Sequence, residues 1–256
     1  VEGATTATYD LASGNKIWIA AESTQSYTQL TGGPYALYSA MGFVVRMGAT
    51  GKITFSGTKF HSGGYATAEL THTGTTANSG YNLIGNPYPS TIDWEAVSDP
   101  NLETSVWFRT HIGASMTFDT YNTQSHIGTN NNGNGSVTKY IPPTQAFWVR
   151  ASTEGFSAQP EFSNAIRNHG SLASIYKIAT EEGTLRMTLS NGTVSDEAIV
   201  FFNSAAQDGF DAFDSHKFWA SNIPQLYMNV LEDTLVINGL SSTENNPIVD
   251  LGMKLS

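Results

Sequence analysis

The chain contains no cysteine and little charge, and each absence excludes something. Without cysteine there is no disulfide, no thiolate-ligated zinc and no thiol nucleophile, and the redox compartment stays undecided. Charged residues are 13% of the 256, about half the usual share. Only twelve of them are Lys or Arg, and the formal net charge is −10. Nucleic-acid binding needs clustered cations and is excluded on this count, and an anionic membrane surface is disfavoured. No apolar run approaches the roughly 20 residues of a membrane-spanning helix. No signal peptide is present, but Val1 is not a natural start, so an export signal is expected to have been removed.

What fills the chain is Gly, Ser, Thr and Asn around a 39% apolar and 11% aromatic complement, enough for a real core. This mix is typical of exported β proteins. Period-two alternation dominates. Leu185, Met187 and Leu189 alternate with Arg186, Thr188 and Ser190, and Val249, Leu251, Met253 and Leu255 repeat the pattern. Ile53–Phe55, Tyr35–Arg46, Gln145–Val149, Ile199–Phe202 and Leu235–Ile237 read as further strands, several buried on both sides. Asn191-Gly192 predicts a hairpin turn, and Glu232-Asp233 predicts a second link. No helix beyond two or three turns is predicted. The expected fold is all-β: antiparallel β-sandwich, jelly-roll or Ig-like, as two sandwich domains in tandem. Asn130–Gly135 reads as an exposed loop. The polar stretch 156–171 reads as a linker between a larger domain, 1–155, and a smaller one, 172–256. The alternating strand that ends at Ser256 suggests that more chain follows it.

The run Gly80–Trp94, GYNLIGNPYPSTIDW, condenses a strand, two prolines, a cap and a tryptophan into fifteen residues. Gly85-Asn86-Pro87-Tyr88-Pro89 is turn chemistry. Ser90 with Asp93 predicts a capping box opening a helical turn over Ile92–Val97. Tyr140–Val149, YIPPTQAFWV, is a Pro-Pro turn leading into an aromatic strand. Leu185–Asp214 joins an alternating strand, Asn191-Gly192, Ser195–Ala198, an apolar strand and Asp208-Gly209-Phe210-Asp211-Ala212-Phe213-Asp214. Together these segments resemble regions of large type IX-secreted cell-surface proteins of Bacteroidetes. The resemblance implies export by the type IX machinery through a C-terminal domain lying outside this chain, and an extracellular or outer-surface location. It carries no enzymatic activity onto particular residues.

Asp208, Asp211 and Asp214 are the candidate calcium ligands, because a bent loop offers several carboxylates; an EF-hand is excluded by spacing. The competing reading is three aspartates capping backbone N–H groups. Asp93 and Glu95 flank Trp94 as glycosidase carboxylates would, but residues two apart on a helical turn diverge. The six histidines lack metal-ligand spacing, and there is no G-x-S-x-G elbow or nucleotide-binding glycine loop. Among the aromatics, Trp94 and Trp148 read as core, while Trp18 and Trp107, flanked by polar residues, are candidates for stacking on a glycan. Asn134-Gly135-Ser136 and Asn191-Gly192-Thr193 read as turns. The expectation is therefore a non-catalytic extracellular module for adhesion or spacing, whose ligand would be a surface glycan or protein. The alternatives are a carbohydrate-binding module or a fragment of a secreted glycan-degrading enzyme.

Overall fold

The computed structural model describes residues 15–31, 40–48, 65–66, 69–168, 183–241 and 247–255. The first strands are β1 (Lys16–Ala21), β2 (Ser26–Gln29), β3 (Val44–Arg46), β4 (Tyr65–Ala66), β5 (Leu70–Thr71), β6 (Tyr81–Gly85) and β7 (Thr91–Asp93). A long hairpin follows, β8 (Leu102–Ile112) and β9 (Ser115–Asn122), then β10 (Ile127–Gly128), β11 (Tyr140–Ile141) and β12 (Ala146–Ala151). Short strands β13 (Ser157–Ala158), β14 (Glu161–Phe162) and β15 (Arg167–Asn168) come next. The last are β16 (Thr184–Ser190), β17 (Ser195–Phe202), β18 (Ser215–His216), β19 (Gln225–Val230), β20 (Asp233–Leu240) and β21 (Asp250–Lys254). Helix among the described residues is confined to three single 3-10 turns at Glu22–Thr24, Trp94–Ala96 and Asn164–Ile166. The chain is all-β, as the alternation predicts. The strand expected at Ile53–Phe55 and the first part of that at Tyr35–Arg46 lie outside the described residues.

The described chain divides into two compact units. One comprises the residues up to Glu103 and those from Tyr140 through 168. The other comprises Thr104–Lys139 and the residues from 183 onward. This division differs from the contiguous one expected from the sequence. The stretch 156–168, read as linker for its lack of periodicity, contributes three two-residue strands to the first unit. They pair with β5, β4 and β7. Two-residue ladders are too short to show any period.

In the first unit β1 is paired on both sides, with Trp18 opposite Gln29 of β2 and Val44 of β3. β6 and β12 run antiparallel, Ile84 opposite Phe147 and Leu83 opposite Trp148. The GNPYPS turn and the YIPP turn meet here. Asn86, 8% exposed, donates from Nδ2 to the carbonyls of Ser90, Ile141 and Pro142 and accepts from the Tyr88 N–H. Ile141 of β11 lies opposite Ile92 of β7, so two motifs far apart in sequence form one corner. Its apolar filling is Trp94, edge-on to Phe147 at 4.9 Å between centroids and tilted against Phe162 at 6.1 Å. Asp93 is the N-cap, its Oδ1 accepting from the Glu95 N–H at 3.1 Å. Ser90 is not. Its hydroxyl accepts from Arg167 Nε, and 91–93 is strand, so the helical turn is shorter than expected.

In the second unit β8 and β9 pair antiparallel and β10 extends them. The other sheet runs β16–β17–β20–β19–β21, with β18 also on β20. Its pairings are antiparallel except one: β17 and β20 run parallel, Ile199 opposite Ile237. Both strands carry near-continuous apolar runs, buried from Asp196 to Phe201 and from Leu235 to Leu240, as parallel strands covered on both faces require. Gly239 permits this packing, because a Cβ there would stand 2.9 Å from the Phe201 ring and from Phe213 Cβ. Asn191-Gly192 makes the predicted hairpin turn, with Gly192 at φ 87°. The second link is Leu231-Glu232, one residue earlier than expected, since Val230 pairs with Asp233. β16 and β21 flank the sheet, and their alternating apolar residues are partly outside: Leu185 is 56% and Met253 59% exposed.

Candidate functional site

The loop 208–214 holds the three aspartates singled out as calcium ligands, and backbone donors take up their oxygens. Asp208 Oδ1 accepts from the N–H and hydroxyl of Ser241. Asp211 accepts from the N–H groups of Gln207 and Phe213, and Asp214 from those of Asp211 and Gly239. The capping reading describes this loop. Among the described residues no three His, Asp or Glu are grouped to hold a metal ion. Asp214 is buried, and burial pushes its carboxyl up to about 7 against the pull of its two backbone donors.

Of the two tryptophans expected to meet a sugar, Trp107 is wholly buried in β8, its Nε1 donating to the His216 carbonyl at 3.0 Å. Its adjacent residues Val106 and Phe108 are apolar and lie on the other face, while the polar Ser105 and Arg109 share its own face, and Ser105 is buried with it. Trp18 is half-buried on β1. The β1–β2 register sets Trp18 opposite Gln29 and Ala20 opposite Tyr27, so Trp18, Tyr27 and Gln29 share one face. Tyr27 is 49% exposed and stands edge-on to Trp148 at 6.2 Å. Trp94 and Trp148 are core, as read from the sequence.

The densest gathering of ionisable side chains lies inside the second unit. Asp119, on β9, is 2% exposed; its Oδ1 accepts from Thr129 Oγ1 and the Asn131 N–H, and its Oδ2 from Thr110 Oγ1. Asn131 is the second residue of the segment read as an exposed loop, yet is itself 2% exposed. It donates to the Phe118 carbonyl and accepts from the Glu197 N–H. Glu197 accepts from the Asn130 N–H and pairs with Arg186 at 3.2 Å. On the other face of β17, Asp196 is fully buried and Lys217 nearly so, and Lys217 Nζ donates to Asp196 Oδ2. The same oxygen accepts from the Leu226 N–H at 2.7 Å, while Asp196 Oδ1 is buried with no hydrogen-bond partner. Burial raises the carboxyls of Asp119 and Glu197 above their ordinary range and depresses the Lys217 ammonium, against the attraction of Asp196 and Asp119.

The first unit has a comparable clamp. Glu22 accepts from the Thr71 and Thr73 hydroxyls and from the N–H groups of Thr73 and Gly80. Burial pushes its carboxyl up, but these donors outweigh it and hold it below 4.5. Arg150 bonds Glu103 at 2.8 Å and the Ser79 carbonyl at 2.9 Å. Sequence reasoning missed Glu22, Asp119, Asn131 and Lys217. The only signal they carry is a polar residue inside a strand-like or turn segment, which is equally the mark of a solvated face.

No helix among the described residues is long and apolar enough to cross a membrane. No curated protein matches the chain, and no solved structure does. A family model matches residues 13–256, and by that match the chain belongs to the domain of unknown function DUF8693.

Proposed function

We propose that this chain is a non-catalytic module of an extracellular, cell-surface or secreted bacterial protein, acting in adhesion or as a structural spacer. The observation that carries this reading is how the buried charges are used. Glu22, Arg150, Glu197 and Asp214 each hold backbone donors or acceptors of neighbouring segments. A side chain already occupied by its own backbone is poorly placed to meet a substrate, but well placed to keep strands in register. The three motif segments support export by the type IX machinery to the surface. Labelling intact cells of a source bacterium with an antibody to this chain tests the location. Surface staining lost on deletion, with loss of attachment or of surface-layer integrity, is expected. Signal confined to permeabilised cells would sink the proposal.

A second reading, carbohydrate binding, is favoured by the shared face of Trp18, Tyr27 and Gln29, which offers aromatic rings beside an amide. A glycan array separates the two readings. Binding abolished by Trp18→Ala supports a sugar site, whereas an array without signal leaves the adhesive or spacer role.

A further inference from the structure

We propose that Lys217 and Asp196 join through an intramolecular isopeptide bond, with the Asp119 carboxyl carrying the protons. The partners are in place. Lys217 Nζ lies directly on the Asp196 carboxylate, and both side chains are shut away from water at 3% and 0% exposure. Asp196 Oδ2 is held by the Leu226 N–H, and Oδ1 is left buried without a hydrogen bond. An ion pair that was to remain one would satisfy both oxygens, because an unsatisfied buried acceptor is costly. Stacked rings of Phe118 and Phe218, 4.1 Å between centroids, bring the backbone before Asp119 alongside that after Lys217. The charge of Asp119 reaches Lys217, and that of Asp196 reaches Asp119.

The chemistry balances within the chain. Proton transfer from Lys217 to Asp196 gives a neutral amine and a carboxylic acid, and burial depresses the Lys217 ammonium. The Lys217 nitrogen attacks Asp196 Cγ, forming the C–N bond. Asp119 takes a proton from that nitrogen and returns one to the departing oxygen, the C–O bond breaks, and one water leaves. Asp119 ends as it began, and nothing is oxidised or reduced. A raised carboxyl pKa suits Asp119 to this exchange. Fixed contact in a dry site supplies an effective molarity that free amines and acids lack, on the order of 10⁵ M or more. The product would close the chain from β17 to the residue after β18 into a covalent ring enclosing the 208–214 loop.

The test is the mass of the unaltered chain under denaturing conditions. The expected value is the sequence mass less one water, with digestion yielding a branched peptide that joins Lys217 to Asp196 and no cleavage after Lys217. Lys217→Arg keeps a cation but cannot form the amide, and should retain the full sequence mass. Asp119→Asn can keep the bonds from Thr129 and Asn131. In chain sampled at intervals after synthesis, it should form the link at least about a hundredfold more slowly, the usual worth of a positioned acid–base group. Full mass in the folded, unaltered chain, or a link at other residues, would overturn the proposal. An unchanged rate in D119N would overturn the role of Asp119. If D119N does not fold, Asp119→Glu provides the same reading, because it keeps a carboxyl but displaces it; a slower link is expected there, and an unchanged rate removes Asp119 from the reaction.

Discussion

Leu231 shows how a single residue can be out of keeping with its backbone. It forms the β19–β20 link at φ 55° with 90% of its surface exposed, so a large apolar side chain occupies a left-handed position that favours glycine. Leu231→Gly is expected to stabilise the fold by about 0.5–1 kcal/mol, the relief of strain exceeding the added freedom of the unfolded chain. A rise in melting temperature without loss of cooperativity would verify it. At this scale the sequence was partly legible. Trp94 and Trp148 declared themselves core by lying in apolar, turn-bounded segments, whereas the capping box read from Ser90 and Asp93 named the wrong cap, since Asp93 itself holds that place. Trp107 did not declare itself, because Ser105 and Arg109, which share its face, look solvated in sequence although Ser105 is buried beside it. Asn131 was hidden by its company, since a run of asparagines and glycines looks solvated whichever member is turned inward.

Among the elements, the corner built by Asn86 links what the sequence presents as separate signatures. Three carbonyls and one N–H depend on one buried amide. Asn86→Ala removes the side-chain donor from those carbonyls, of which Pro142's keeps the Gln145 N–H, and is expected to cost about 2–4 kcal/mol, read as a lower urea midpoint at unchanged slope. A loss below about 0.5 kcal/mol would mean that water replaces the amide freely. Strands with long alternation or continuous apolar runs were legible, as β12, β16, β17 and β20 show. Other features were not, the long hairpin β8–β9 among them, which the sequence reading did not name as strands. The parallel pairing of β17 with β20 depends on partner choice across the chain, which a local period does not encode. The two-residue ladders of 156–168 are defined only by what they pair with.

For the whole molecule, charge and burial set the response to pH. Asp119, Glu197 and Asp214 hold their protons more tightly folded than unfolded. Their contribution is therefore fully present below the ordinary carboxylate range and is lost as pH rises through the folded values; for Asp214 that window runs from 3.8 to about 7. Glu22 has the opposite sign, giving stability above 4.5 that disappears as pH falls through its depressed value. Lys217, depressed from 10.5, favours the fold as pH rises toward that value, and leaves the titration altogether once amidated. With a net charge of −10 the self-repulsion also grows toward neutrality. The melting temperature should thus peak in mildly acid buffer and fall toward pH 8, and Asp214→Asn should flatten that fall. A curve that rises steadily from pH 5 to 8 would contradict this assignment.

The interleaving of the chain also has a consequence in time. A polypeptide emerging from a ribosome or a secretion pore, amino end first, delivers Thr104–Lys139 long before β16–β21 exist to receive it. Trp107 and Asn131 must wait through the synthesis of some tens of residues for His216 and Glu197, and the first unit cannot close until Phe162 has appeared. Folding of this protein is therefore a late event in its own production, and the hairpin β8–β9 is the segment that most needs shelter meanwhile.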